Sequence, residues 1–196
     1  GNTRYLANSE SPPGTPPSST MNYVVIPKKS EPFAITSSLE EHRCRHESSV
    51  KDIRCWTTYP DIKSDGKSAL EILKSSLKEI KAKQIFTDTK VSLGRSFKVS
   101  VSSNVNELRS IKSKAELQRI KKAIKQSDAG QMFAHNLVES GEGLSEKEVR
   151  SELDYFMARK GIQENSFSTI VASGPNSAHS HHSNTDRKLK VGDPVI

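Results

Sequence analysis

The chain has 196 residues, of which 33% are hydrophobic and 27% charged, and its formal net charge is +7. This length suffices for one large or two small domains with a buried core. No run of about 20 apolar residues predicts a membrane span, and the lysines are spread along apparent helix faces instead of grouping with aromatic residues. The composition therefore favours a solvated basic surface and argues against a nucleic-acid or membrane partner.

The N-terminal part of the chain shows a loop pattern and a hairpin pattern. Residues 9–20 are rich in proline and serine, which is typical of an exposed loop. Two short β-rich runs follow, residues 23–26 and 33–36, and the segment between them contains two prolines. This arrangement predicts a β-hairpin. Residues 39–46 are predicted to be helical.

A helix and two further strands are predicted next. Between Gly66 and Lys83 the apolar residues recur at helical spacing, so one face of this helix should be buried. These residues are Ala69, Leu70, Leu73, Leu77 and Ile80. Residues 84–87 and 97–101 have the composition of strands. Strands that alternate with helices predict an α/β (α+β) fold for a small mixed-sheet domain over residues 1–108.

The second half of the chain is predicted to begin with a long helix. Ser113 and Glu116 have the spacing of a capping box, in which each side chain satisfies a free backbone amide at a helix start. The helix should run to about Ser140 and end at residues 141–143, which include two glycines. We expect its packed side to carry Leu117, Ile120, Ala123, Ile124, Ser127, Gly130 and Ala134.

A second capping box predicts another helix shortly afterwards. Ser145 and Glu148 have the required spacing, and Gly161 is the expected end of the helix. The residues expected to face inward recur at helical spacing and are Val149, Leu153 and Phe156.

The C-terminal segment combines a predicted strand, two turns and three histidines. Residues 167–172 alternate large apolar residues with small or hydroxylated ones, as a half-buried strand does. Turns are predicted at residues 173–176 and 192–193, and residues 194–196 begin another apolar run. The loop between the turns carries His179, His181 and His182. A loop histidine usually has no specific role, and a His-x-His-His run alone is a weak metal signal.

The two cysteines, Cys44 and Cys55, are too few for a disulfide scaffold. Because nothing resembles a secretory signal either, we expect a cytoplasmic protein. With His42 and His46, the cysteines form the other candidate metal cluster. On a helix the two histidines share a face while Cys44 points elsewhere, which favours ordinary residues over a zinc site.

Several separate pieces of the C-terminal half carry a family resemblance. They are residues 168–174, 176–178, His181, 185–189 and 192–193. In order and spacing these pieces resemble the entry to the catalytic domain of the pita-bread metallopeptidases, in the branch of Xaa-Pro dipeptidase (prolidase) and aminopeptidase P. Residues 109–117 resemble the interdomain entry of this family, and residues 2–6 resemble a segment well inside its N-terminal domain.

The resemblance implies a fragment made of two truncated domains. Residues 1–108 would form a creatinase/prolidase-type N-terminal domain whose first part is missing. Residues 109–196 would form the first helices and strands of a pita-bread catalytic domain. We therefore expect the true N-terminus, and any targeting peptide on it, to be missing.

The resemblance also implies an activity. In the family, two divalent ions such as manganese, cobalt or zinc activate a water that attacks the peptide carbonyl before proline. The ions are held by two aspartates, one histidine and two glutamates, which all follow the segment equivalent to Gly192 and Asp193. None of these ligands is assigned in this chain, so the stretch by itself is expected to be inactive. The full-length parent is expected to be a homodimer that acts on proline-containing peptides.

His181 is the candidate catalytic residue. It occupies the position at which the Asn-Ser-Ala-x-x-His segment of the family delivers a histidine to the substrate. We expect it to donate a hydrogen bond to the substrate or to the developing oxyanion. The sequence departs from the usual Asn-Ser-Ala-Leu-Pro-His form by carrying His179 and Ser180. Two alternatives stay open: a creatinase-type hydrolase, which uses the fold without metals, and a non-catalytic binding protein of the same fold.

Overall fold

This computed structural model of the protein describes residues 2–9, 22–140 and 143–196. The chain divides into two compact units, Gly1–Ile111 and Lys112–Ile196. Most of the proline- and serine-rich run, and residues 141 and 142 at the expected end of the long helix, lie outside the described residues. No helix within the described ranges is long and apolar enough to cross a membrane. The domain boundary predicted after residue 108 stays a prediction.

A three-stranded mixed sheet forms the centre of the first unit. Strands β1 (Tyr23–Val25) and β2 (Phe33–Ser37) are antiparallel, with Val24 opposite Ala34. Strand β3 (Asp52–Trp56) pairs in parallel with β2, which is therefore the central strand. The predicted hairpin is confirmed.

Strand β3 was not predicted from the sequence. Ile53 and Cys55 are 5% and 3% exposed, whereas Asp52, the first residue of the strand, is exposed and Arg54 is only partly buried. The strand therefore does alternate between its two faces. Its five residues are too few, and too charged at Asp52 and Arg54, for the alternation to be recognised without its neighbour β2.

Helices cover both faces of this sheet. Neighbouring residues of β2 point to opposite faces. On one face, Ala34 packs in a cluster with residues of helices α1 (Asn2–Ala7) and α2 (Glu41–Glu47). On the other face, Phe33 and Ile35 pack against helix α3 (Ala69–Glu79). The predicted α/β layer is confirmed.

The predicted helices and strands of the first unit form with slightly different bounds. Helix α2 is preceded by a 3-10 turn, and α3 begins at its cap Ser68, whose hydroxyl accepts from the backbone N–H of Glu71 at 3.2 Å. Leu73 and Leu77 are buried as predicted. The two predicted strands are parallel to each other: β4 (Gln84–Thr87) and β5 (Lys98–Val101). Helix α4 (Asn104–Ser110), which follows them, was not predicted.

Both predicted capping boxes start helices in the second unit. Helix α5 (Lys114–Ser140) follows Ser113, whose N–H donates to the Glu116 carboxylate at 2.8 Å. Helix α6 (Glu146–Arg159) follows Ser145, whose hydroxyl accepts from the N–H of Glu148 at 3.2 Å. Gly161 has a φ of +82° just beyond α6, which confirms it as the stop.

The predicted packed side of α5 is wrong over its N-terminal half. Leu117, Ile120 and Ile124 are 45%, 42% and 54% exposed. Helix α6 packs along the other half, where Gly130 is buried and the rings of Phe133 and Phe156 stack with centroids 4.2 Å apart. The N-terminal half of α5 has no such neighbour among the described residues of its own unit, so its apolar residues stay exposed.

The strand predicted at residues 167–172 is also wrong. Only its end pairs: Ala172 and Ile196 exchange backbone hydrogen bonds of 2.7 and 2.9 Å, and Ser173 bridges Val195. Residues 167–171 have no backbone ladder with a described segment, and Phe167 is 73% exposed. A strand needs a paired neighbour along its length, which is why alternation alone predicted too much here.

Candidate functional site

The candidate site is a loop that joins two backbone-paired segments of the second unit. We call residues 173–185 the histidine loop. A 3-10 turn, Gly174–Ala178, opens it, which agrees with the predicted turn. At its start Gly174 donates to the carbonyl of Pro194 at 2.9 Å. Just past its end, the N–H of Glu146 donates to the carbonyl of Arg187 at 3.1 Å. Both ends of the loop are therefore fixed to regular backbone.

A buried carboxylate holds the loop from inside. Glu146, the first residue of α6, has no exposed surface. Its Oε1 accepts from the N–H and the hydroxyl of Ser173 at 2.8 and 2.9 Å, and from the side-chain amide of Asn176 at 2.9 Å. A negative charge at this position is also favoured by the dipole at the start of a helix.

The other oxygen of Glu146 contacts the far side of the loop. Oε2 lies 2.7 Å from Nε2 of His182 and accepts from the N–H and hydroxyl of Thr185 at 2.9 and 2.7 Å. With three hydrogen bonds on each oxygen, the carboxylate is fully hydrogen-bonded. It therefore joins the start of the loop to its end.

The environment of Glu146 keeps it ionised. Burial alone raises the pKa of its carboxyl. That effect is outweighed by the hydrogen bonds from Asn176, His182, Thr185 and Ser173, which hold the pKa well below its usual value. Because the carboxylate is charged at neutral pH and fully occupied by donors, it acts as a fixed anion and not as an acid or base.

An ion pair supports the loop from its outer side. The guanidinium of Arg187 donates to Oδ2 of Asp193 and to the hydroxyl of Ser173, each at 2.7 Å. Oδ2 of Asp193 also accepts from the N–H of Lys190 at 3.0 Å, which closes the predicted turn at residues 192–193. The hydrogen bond from Arg187 lowers the pKa of Asp193, so this carboxyl is ionised as well.

Gly174 lies directly against this ion pair, which leads to a testable prediction. Its φ is +53°, and a Cβ there would collide with the Arg187 guanidinium and lie 2.7 Å from Oδ1 of Asp193. Gly174→Ala should therefore destabilise the second unit by about 2 kcal/mol, from backbone strain plus displacement of the pair. Gly192→Ala is the matched control, since Gly192 has a φ of +86° with nothing within 4 Å.

Chemical denaturation of both alanine variants, followed by circular dichroism, checks this prediction. The control should lose about 1 kcal/mol from backbone strain alone. Equal losses for the two variants would show that the ion pair moves aside freely and does not define the loop.

The three loop histidines have different environments. His181 and His179 are exposed, whereas the ring of His182 is 10% exposed and bonded to Glu146. His182 is therefore not a surface residue, in contrast to the other two loop histidines. The functional importance of Glu146 was not predicted from the sequence. No local signal reveals its contact with His182, because 36 positions separate the two residues.

The described residues do not fit the metal pair that the resemblance implies. Within residues 2–9, 22–140 and 143–196, no three His, Cys, Asp or Glu side chains lie together so as to hold a metal ion. Asp193 is already engaged by Arg187. In the other candidate cluster, Cys44 and Cys55 are buried while His42 and His46 are exposed on α2. Burial raises the pKa of Cys55 to about 12, so its thiol is not a ready ligand.

The fold is similar to that of the pita-bread metallopeptidases, since a solved prolidase superposes on the whole chain. A comparison with protein families supports this class directly. Residues 118–196 match the model of metallopeptidase family M24. The predicted resemblance to this family and the predicted fold class are confirmed.

Individual relatives agree with this assignment. The Xaa-Pro dipeptidase of Pyrococcus furiosus is 37% identical over 92 residues, which are 47% of this chain and 26% of the relative. A putative dipeptidase of Bacillus subtilis, YkvY, is 35% identical over 132 residues, 65% of this chain and 33% of the relative. The solved prolidase from Thermococcus sibiricus is 26% identical with a TM-score of 0.72. This match covers 100% of this chain and 53% of the prolidase chain. The chain thus spans between a quarter and a third of these curated relatives.

Proposed function

We propose that this chain forms part of a metal-dependent Xaa-Pro peptidase, which hydrolyses the peptide bond before proline. The observation that carries the proposal is the histidine loop. It has the spacing of the family's Asn-Ser-Ala-x-x-His segment from Asn176 to His181, and it is fixed at both ends while His181 stays exposed. A loop held in one conformation with a free imidazole suits contact with a substrate. The relatives named as dipeptidases support the same activity.

We assign His181 the role of a hydrogen-bond donor to the substrate or to the oxyanion that develops on the scissile carbonyl. Such donors are effective because they are already oriented before charge appears. The activity also requires the five metal ligands of the family, which the resemblance places after Asp193 and which the described residues do not supply. Manganese, cobalt and zinc are the candidate metals.

The remaining assignments follow from the family. We propose a proline-containing peptide as the substrate, a cytoplasmic location and a homodimeric parent. Residues 1–108 would be the creatinase/prolidase-type domain of that parent, and residues 109–196 the start of its catalytic domain.

The test compares two polypeptides, the chain of residues 1–196 and the complete polypeptide that carries it. Each is incubated with a Xaa-Pro dipeptide, or with the matching Xaa-Ala dipeptide, in the presence of manganese, cobalt or zinc. We expect the complete polypeptide to cleave the Xaa-Pro dipeptide much faster than the Xaa-Ala dipeptide, and we expect a chelator to abolish cleavage. Residues 1–196 alone should show no cleavage.

Three outcomes would contradict this proposal. Cleavage by residues 1–196 alone would show that the placement of the ligands is wrong. Metal-independent hydrolysis of creatine by the complete polypeptide would identify a creatinase-type enzyme. Peptide binding without turnover under every metal would identify a binding protein.

A further inference from the structure

The proposed function gives no role to Glu146, the side chain with the most hydrogen bonds in the histidine loop region. Burying a carboxylate is costly unless hydrogen bonds replace its lost hydration. Glu146 is completely buried, and four residues supply its donors: Ser173, Asn176, His182 and Thr185. All four belong to the histidine loop. The folding of this loop and the burial of Glu146 therefore depend on each other.

We propose that Glu146 is a positioning residue for His181: it fixes the segment of the histidine loop that presents this imidazole. The proposal rests on the proposed function for the role of His181. The claim that Glu146 fixes the loop is independent of the proposed function.

The positions of the anchored residues support this role. Asn176 and His182 are both bonded to Glu146, at 2.9 and 2.7 Å, and only residues 177–181 lie between them. His181 is the last of these and is directly followed by an anchored residue. A short segment held at both ends has few accessible backbone conformations. The structure thus fixes the backbone of His181 although its side chain is exposed.

The chemistry of the anchor requires a carboxylate of this length. Each oxygen of Glu146 receives three donors, so both must be acceptors. Glutamine has the same size but turns an NH₂ group toward one of the two donor sets. Donor would then face donor at either Ser173 and Asn176 or His182 and Thr185. Glu146→Gln should therefore release one side of the loop without leaving a cavity.

Glu148 provides a matched control on the same helix. It is also a glutamate in the first turn of α6, and it also accepts hydrogen bonds, from Ser145 and Lys188. In the part of the chain that the structure describes, it has no hydrogen bond to residues 173–185, and its side chain is 50% exposed. Glu148→Gln therefore removes the same charge from the first turn of the same helix as Glu146→Gln does, but it removes no contact with the histidine loop.

Amide hydrogen exchange measured on the 196-residue chain tests the anchor itself. In Glu146→Gln, exchange should rise at least about tenfold at the Ser173 or the Thr185 amide, whichever faces the glutamine NH₂ group, with unchanged exchange in α5. In Glu148→Gln the two amides should exchange as in the wild type. Should Glu146→Gln fail to fold, Thr185→Val keeps the size of the side chain and removes one donor to Glu146, together with the acceptor of the Arg187 N–H, and should give a smaller rise at the same amides.

Kinetics in the complete polypeptide test whether the anchor acts through His181. Glu146→Gln should lower kcat about 10- to 100-fold with a smaller change in KM, because a misplaced donor costs transition-state stabilisation. The double variant with His181→Ala should lose no more than His181→Ala alone. Glu148→Gln should keep wild-type kinetics.

Each arm has an outcome that overturns part of the inference. Unchanged exchange at Ser173 and Thr185 in both test variants would show that Glu146 does not fix the loop. Full additivity of the two substitutions would show that Glu146 acts by general stability and not through His181. If the wild type cleaves no Xaa-Pro peptide, the proposed function fails, and the exchange data still decide whether Glu146 is the anchor.

Discussion

Replacing His181 by alanine should lower kcat for a Xaa-Pro dipeptide about 100- to 1,000-fold in the complete polypeptide, which is the usual cost of removing an oriented oxyanion donor. The fold should not change. His181 is exposed, so its removal leaves no buried cavity and no unpaired buried group. Steady-state kinetics together with a thermal melt separate the two effects.

His179→Ala is the control for this substitution. His179 is exposed on the same loop, two positions away, and its ring centroid lies 6.4 Å from that of His182. The hydrogen bonds of Glu146 do not include it, so we expect wild-type kinetics and stability. Equal kinetics for His181→Ala and the wild type would remove His181 from the active site. A matching loss in both variants would point to the loop as a whole.

Local signals predicted a large part of this fold. The two capping boxes, at Ser113 and Ser145, predicted the starts of α5 and α6, because a cap is a contact between residues three positions apart. The hairpin of β1 and β2 was predictable for the same reason, since its strands are close in sequence. Spacing and the family resemblance also located the histidine loop before any contact was known.

The features that the sequence did not reveal all depend on distant neighbours. Strand β3 is recognisable only beside β2. The N-terminal half of α5 has an apolar face that no described residue of its unit covers. Glu146 resembles any acidic residue at a helix start until His182, 36 positions away, is placed beside it. The sequence therefore identified His181 as the histidine to test and did not reveal the carboxylate of Glu146, which is hydrogen-bonded to the same loop.

Acid should destabilise the second unit chiefly through Glu146. Its folded pKa lies well below the ordinary value of 4.5, which we take for the unfolded chain. The stability that this carboxylate contributes is therefore fully present above about pH 4.5 and is lost as the pH falls toward the folded pKa. The pKa of Glu148 is also lowered, to about 2, by hydrogen bonds from Lys188 and Ser145, and adds to the loss in the same window.

Glu146→Gln should remove most of this pH dependence. At pH 7 the variant should be about 2–4 kcal/mol less stable than the wild type, because buried donors lose a charged acceptor. Between pH 4.5 and pH 3 the gap should narrow, because the Glu146 carboxyl of the wild type takes up a proton in the unfolded chain while it stays ionised in the folded chain, which favours unfolding. Urea denaturation across this range, followed by circular dichroism, measures the gap. Fluorescence is unsuitable, because the single tryptophan, Trp56, lies in the first unit.

Glu148→Gln again serves as the comparison, and its loss at pH 7 should be smaller, since its ion pair with Lys188 is half exposed and screened by water. Its stability should still fall steeply with acid, because Glu146 is intact. If the free energy of unfolding of Glu146→Gln falls with decreasing pH as steeply as that of the wild type, the buried carboxylate is not the group that makes the stability depend on pH. The slope would then have to come from exposed carboxylates, and the loop would be held mainly by its backbone pairing to residues 194–196 and by the Arg187–Asp193 pair.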